Sequence, residues 1–164
     1  MTKLRIYAAI ILAMIFWALS FIWFKIANES FRPITIVFFR LVIAVVILFL
    51  YLSATGSIGK IRKGDRKLFI LLSVFEPFLY FIGESYGLTY VSATVGSVII
   101  STIPVFVTIG AWILFRERLR VINYFGIVIS FLGVVVFIID RSGSFSYNLK
   151  GVGLLFLAVF SAVG

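Results

Sequence analysis

Residues 6–54 read IYAAIILAMIFWALSFIWFKIANESFRPITIVFFRLVIAVVILFLYLSA. Two apolar runs, 6–27 and 34–54, flank a short polar connection at 28–33. Each run matches the roughly 20 helical residues that cross a hydrocarbon core about 30 Å thick. A connection this short predicts an antiparallel helical hairpin. Outward from the hairpin the pattern repeats. Spans are predicted at 68–88, 92–115 and 122–139, with a last apolar stretch at 150–164. Its apolar run at 151–164 is too short to cross a bilayer. The predicted fold class is all-α, a polytopic membrane helix bundle with five complete transmembrane helices and a partial sixth.

Composition agrees. Hydrophobic residues make up 63% and charged residues 13%, against about 25% charged in a soluble domain. A water-soluble chain of 164 residues has too little interior for that much apolar surface. There is no Cys and no His, which excludes disulfides, thiolate chemistry, histidine metal sites and histidine general bases. The carboxylates are not spaced as metal ligands. Neither a phosphate-binding glycine loop nor a nucleophile elbow is present. An enzyme is therefore not expected, nor any cofactor or metal.

The net charge of +9 belongs to topology. Ten basic residues (Lys3, Arg5, Lys60, Arg62, Lys63, Arg66, Lys67, Arg116, Arg118 and Arg120) fall before the first span or in alternate connections. Only Arg32, Arg141 and Lys150 fall on the other side. The positive-inside rule places the N-terminus in the cytoplasm, and nucleic acid is not an expected partner. Lys3 and Arg5 before an apolar run also resemble a signal peptide, but the run is long and lacks a convincing small-residue cleavage site. An uncleaved first helix is the better reading.

Several polar residues lie inside the spans, where they are costly and usually face a partner or a water-filled cavity. Arg40 and Glu84 lie at a similar depth from the outer ends of the second and third spans. They are predicted to face each other or a shared cavity, either as part of a pathway or as a lock between helices. Lys25 lies near the outer end of the first span and can instead pair with Glu29 or snorkel to the interface. Glu76 sits near the middle of the third span. With Pro77, Tyr80, Gly83, Glu84 and Gly87 it marks a polar or small face suited to a substrate or proton path, or a carboxylate buried for packing. Ser97, Ser101, Pro104 and Thr108 mark a similar face on the fourth span. That face reads as a bendable, cavity-lining helix or as close packing through small residues. Gly126, Ser130 and Gly133 on the fifth span read as packing residues. Trp17 falls at mid-membrane, away from the interfacial belts, and reads either as the wall of a cavity or as plain lipid or core packing.

Residues 160–164, FSAVG, can be laid on residues 16–20, FWALS, with Phe and Ala identical, which reads as an internal repeat or as a chance match between two apolar helices. Five spans carry the chain from inside to outside, so a second copy of the unit must insert inverted, as in inverted-repeat transporters.

Three stretches taken together resemble the EamA-like transporters of the drug/metabolite transporter superfamily. Residues 17–44, WALSFIWFKIANESFRPITIVFFRLVIA, match that family's opening at Trp17, Lys25, Pro33 and Arg40. Residues 83–119, GESYGLTYVSATVGSVIISTIPVFVTIGAWILFRERL, match its third-to-fourth helix region at Ala93, Pro104 and Glu117. Residues 124–138, YFGIVISFLGVVVFI, match its fifth helix at Gly126 and Gly133. Glu76 and Glu84 lie outside the family pattern. The resemblance implies a ten-helix fold of two inverted five-helix repeats around a central cavity. Residues 1–141 would then form the first repeat, 142–149 an external linker, and 150–164 the truncated start of the second.

The expected function is a secondary transporter, an exporter by alternating access of a small metabolite, amino acid or drug-like solute. The expected location is the cytoplasmic membrane of a bacterium. The candidate substrate or proton pathway comprises Trp17, Lys25, Arg40, Glu76, Tyr80, Glu84, Ser97, Ser101 and Pro104. Expected partners are the lipid bilayer, the solute and the missing C-terminal repeat, and a homodimer is allowed. The competing reading is a non-transporting, half-length membrane assembly module.

Overall fold

The computed structural model describes residues 3–59, 61–116, 121–138 and 148–163. Most of the expected external linker, and Lys60, Glu117, Arg118 and Arg120, lie outside the described residues.

The opening hairpin is two long helices, α1 (Lys3–Asn28) and α2 (Pro33–Ala54). Pro33 opens α2 because its preset φ suits the first helical position, where its missing N–H is no loss. Arg32 before it is extended (φ −68°, ψ 147°), as the residue preceding a proline prefers. Gly56 closes α2 in the left-handed region (φ 63°). The Gly56 and Ser57 N–H groups bond back to the Ser53 and Leu52 carbonyls, the satisfied ending that glycine permits.

The third and fourth spans, each expected as a single helix, are broken. The third begins with a short 3₁₀ turn at Lys63–Asp65 and α3 (Arg66–Ser73), widens at Val74–Leu79, and resumes as α4 (Tyr80–Tyr90). Within the widened stretch Glu76 is extended (φ −130°, ψ 111°). Pro77 is the cause: it has no N–H for Ser73 and its ring crowds that carbonyl. The fourth span divides into α5 (Ala93–Ile100) and α6 (Ile103–Phe115). Pro104 cannot donate to Ile100, so the ladder lapses at Ser101–Thr102 and restarts with Pro104 in the first turn of α6. Ser92 caps α5 by accepting the Val95 N–H at 3.2 Å.

α7 (Val121–Ile138) is 18 residues long, at the short end of the roughly 17–25 residues that span a bilayer. α8 (Leu149–Ser161) is 13 residues, too short to span. Stretches 3–28, 33–54, 63–90 and 93–114 are each long and apolar enough to cross a membrane. Large side chains such as Ile11, Ile47, Phe49, Leu71 and Ile129 point outward and are more than half exposed. In water such a surface would aggregate; in lipid it is the solvated face.

The interior lies between α1, α4, α5 and α8, around Phe21, Tyr80, Leu88, Val95, Ile99, Leu155 and Val159. α4 and α8 meet most closely. A Cβ placed on Gly83 would stand 2.7 Å from the Leu154 carbonyl oxygen, and one on Gly151 would stand 2.6 Å from the Tyr90 Cβ. Backbones approach this closely only where side chains are absent, a common way for helices to associate in lipid. A Cβ on Gly126 or Gly133, both expected to pack, would meet nothing within 4 Å among the described residues. The Ser130 side chain lies outside the described residues.

Candidate functional site

Arg40 and Glu84 come together. Arg40 lies seven residues into α2 and Glu84 six residues before the end of α4. At 1.5 Å per residue both are about 10 Å from their helix ends. The Arg40 Nη1 donates to Glu84 Oε2 at 3.2 Å. Glu84 is buried; its side chain is 3% exposed against 35% for Arg40. One turn earlier on α4, the Tyr80 hydroxyl donates to Glu84 Oε1 at 3.1 Å. Both carboxylate oxygens therefore have a donor, as a charge at this depth requires. The Arg40 guanidinium also lies over the Phe81 ring, 4.3 Å from its centroid, a favourable cation–aromatic distance.

A cavity of about 370 Å³ opens beside this network, lined by Trp17, Arg40, Glu76, Tyr80, Phe81, Ile103 and Ala162. It draws walls from α1, α2, the broken third span, α6 and the end of α8. Trp17 is half-buried, tilted against Phe21 with ring centroids 6.2 Å apart. Glu76 reaches this wall because the chain there is extended rather than helical. Among the described residues Glu76 makes no hydrogen bond or ion pair.

A second cavity, of about 430 Å³, lies between α1 and α2 and is lined by Ser20, Trp23, Phe24, Phe31, Phe39 and Arg40 among others. Arg40 is common to both. No group of three or more carboxylates that could hold a metal occurs among the described residues.

Four of the nine predicted pathway residues, Trp17, Arg40, Glu76 and Tyr80, line one cavity, and Glu84 is tied to it through Arg40 and Tyr80. Lys25, Ser97, Ser101 and Pro104 are outside its lining. Lys25 forms no ion pair with Glu29. The Ser97 and Ser101 hydroxyls donate to the Thr94 and Val98 carbonyls of their own helix, at 2.9 and 2.7 Å. Thr108 donates likewise to Pro104, at 2.7 Å. These hydroxyls satisfy themselves within the helix, the usual arrangement for Ser and Thr in lipid. The polar stripe of the third span also divides. Tyr80 and Glu84 face α2, whereas Gly83 and Gly87 serve the contact with α8. Sequence reasoning missed Phe81, since nothing marks one phenylalanine among 19. It also missed Ile103, whose only signal was its place beside the helix-breaking Pro104.

Proteins similar in sequence to this chain are transporters by name. The chain is 33% identical over 151 residues to an uncharacterized transporter of Archaeoglobus fulgidus, covering 92% of this chain and 52% of that protein. It is 30% identical over 148 residues to the uncharacterized transporter YdfC of Bacillus subtilis, covering 88% and 47%. An uncharacterized transporter of Buchnera aphidicola is 28% identical over 162 residues, covering 98% and 54%. The chain thus spans about half the length of these relatives. No solved structure matches it. The family profile of the EamA-like transporters matches residues 4–139, and with the membrane-spanning helices already described, the chain belongs to the EamA-like transporter family.

Proposed function

We propose that the protein is a secondary transporter that exports a small metabolite, amino acid or drug-like solute by alternating access. One observation carries this reading. A charged network at membrane depth, Arg40–Glu84–Tyr80, borders an open cavity that also holds the unpaired carboxylate of Glu76. A network serving only as a lock between helices needs neither the cavity nor the second carboxylate. Ionisable residues within spans usually mark solute or ion paths.

In this reading residues 1–141 are one five-helix repeat, 142–149 an external linker, and 150–164 the start of an inverted second repeat. The relatives' greater length supports that division, as does the lining of the cavity by Ala162 alongside residues of the first repeat. Trp17, Arg40, Glu76, Tyr80 and Glu84 carry the path; Lys25, Ser97, Ser101 and Pro104 support the helices around it. The skewed distribution of Lys and Arg favours a cytoplasmic N-terminus in a bacterial cytoplasmic membrane.

The test is solute flux in proteoliposomes. Glu76→Gln is expected to abolish flux while membrane insertion and folding persist. Normal flux in that variant would sink the proposed path. If no solute moved under any imposed gradient, the non-transporting assembly module would be the surviving reading.

A further inference from the structure

The wall of the 370 Å³ cavity carries an imbalance of charge. Arg40 and Glu84 neutralise each other across 3.2 Å, and the Tyr80 hydroxyl occupies the second Glu84 oxygen. Glu76 is left as the carboxylate without a partner among the described residues. Around it the lining is aromatic and aliphatic: Trp17, Tyr80, Phe81, Ile103 and Ala162. Aromatic faces carry negative potential and attract cations. Phe81 already does so, with the Arg40 guanidinium 4.3 Å from its ring centroid.

Each class of solute meets this wall differently. An anion is repelled by Glu76 and finds Arg40 engaged. A neutral solute supplies no charge partner for Glu76, which then stays uncompensated at a cost or holds a proton. A cation with an apolar body compensates Glu76 and fills the apolar remainder. We propose that the cavity binds an organic cation, a protonated amine or quaternary ammonium with an apolar group of about benzyl size. Its head sits at Glu76 and its body lies against Trp17 and Ile103. This assignment rests on the transport reading of the same cavity and narrows it to a substrate class.

The test uses titration calorimetry on the purified protein in detergent with three probes of similar size: benzyltrimethylammonium, neutral N,N-dimethylbenzamide and anionic benzenesulfonate. The cation is expected to bind saturably, with the other two at least about tenfold weaker. Glu76→Gln is expected to weaken the cation about tenfold or more, and Glu76→Asp to retain most of the binding. Equal binding of all three probes, preference for the anion, or no binding of the cation would overturn the assignment. If Glu76→Gln fails to fold, the ranking of the probes on the unsubstituted protein decides the matter alone. Flux is measured separately. Cation binding without flux of any solute leaves this inference standing and removes the transport reading. Flux of anionic or neutral solutes without cation binding does the reverse.

Discussion

Arg40 and Glu84 contribute unequally to their pair. Glu84 is buried and Arg40 faces the cavity, so removing each partner has a different cost. Arg40→Met leaves a buried carboxylate with only Tyr80 as donor. A fully buried pair loses about 3–5 kcal/mol when one partner is removed, and the exposure of Arg40 reduces that to about 2–3 kcal/mol. Glu84→Gln removes the buried charge and keeps a carbonyl that still accepts from Tyr80. It is expected to cost less than Arg40→Met. Thermal unfolding in detergent measures both, and the opposite order would show that Glu84 is not the buried end of the pair. Next to Glu84, Ser85 is fully buried and its hydroxyl has no hydrogen-bond partner among the described residues. An unsatisfied buried hydroxyl costs about 1–3 kcal/mol. Ser85→Ala is therefore expected to leave stability unchanged or raise it by about 1 kcal/mol, read in the same melts. The depth match of Arg40 and Glu84 was legible from residue counting, because rise per residue is fixed along a helix. The role of Tyr80 as a donor to Glu84 follows from their spacing of four, which puts both on one helix face.

The elements were legible wherever periodicity and length acted alone, and less so where proline intervened. α1 and α2 match the expected spans closely because nothing in their interiors breaks the hydrogen-bond ladder. Pro77 and Pro104 each remove one donor, and the chain around them has to find another path. The extended conformation at Glu76 means that its direction could not be read from a helical wheel. The contact of α4 with α8 was hidden for another reason: which face of a glycine stripe meets which helix depends on neighbours distant in sequence. That contact gives a graded prediction. A Cβ on Gly83 would meet the Leu154 carbonyl oxygen at 2.7 Å and the Ala158 nitrogen at 2.8 Å, both backbone atoms. A Cβ on Gly87 would meet the Leu155 side chain at 2.7 Å and the Gly151 carbonyl oxygen at 3.1 Å, so its only backbone contact is the longer one. Gly83→Ala is expected to cost about 1–3 kcal/mol and Gly87→Ala less. Gly126→Ala, whose Cβ would meet nothing within 4 Å among the described residues, is expected to be neutral or to gain up to about 1 kcal/mol from helix propensity. Equal melting temperatures for Gly83→Ala and Gly126→Ala would refute the close α4–α8 packing.

At the scale of the whole molecule the expected topology is open to a clean test, because the chain has no cysteine. Ser30→Cys in the α1–α2 turn is expected to react with a membrane-impermeant maleimide from outside intact cells. Ser57→Cys after α2 is expected to react only once the membrane is permeabilised. Reversed labelling would invert the proposed orientation. The amino-acid sequence by itself determined the membrane class, the approximate position of the apolar spans, and the asymmetry of charge between the two sides. These depend on transfer energies and helix length, which are summed along the chain and need no knowledge of packing. It also brought Arg40 and Glu84 to one level. Only the tertiary structure decided which polar residues share a cavity. It set Glu76 on the wall through a local break in the helix, and turned Ser97 and Ser101 back onto their own helix. It set Gly83 and Gly87 against α8. Rotation about a helix axis and the approach of one helix to another are set by contacts between residues far apart in sequence, and periodicity along a single span carries no record of them.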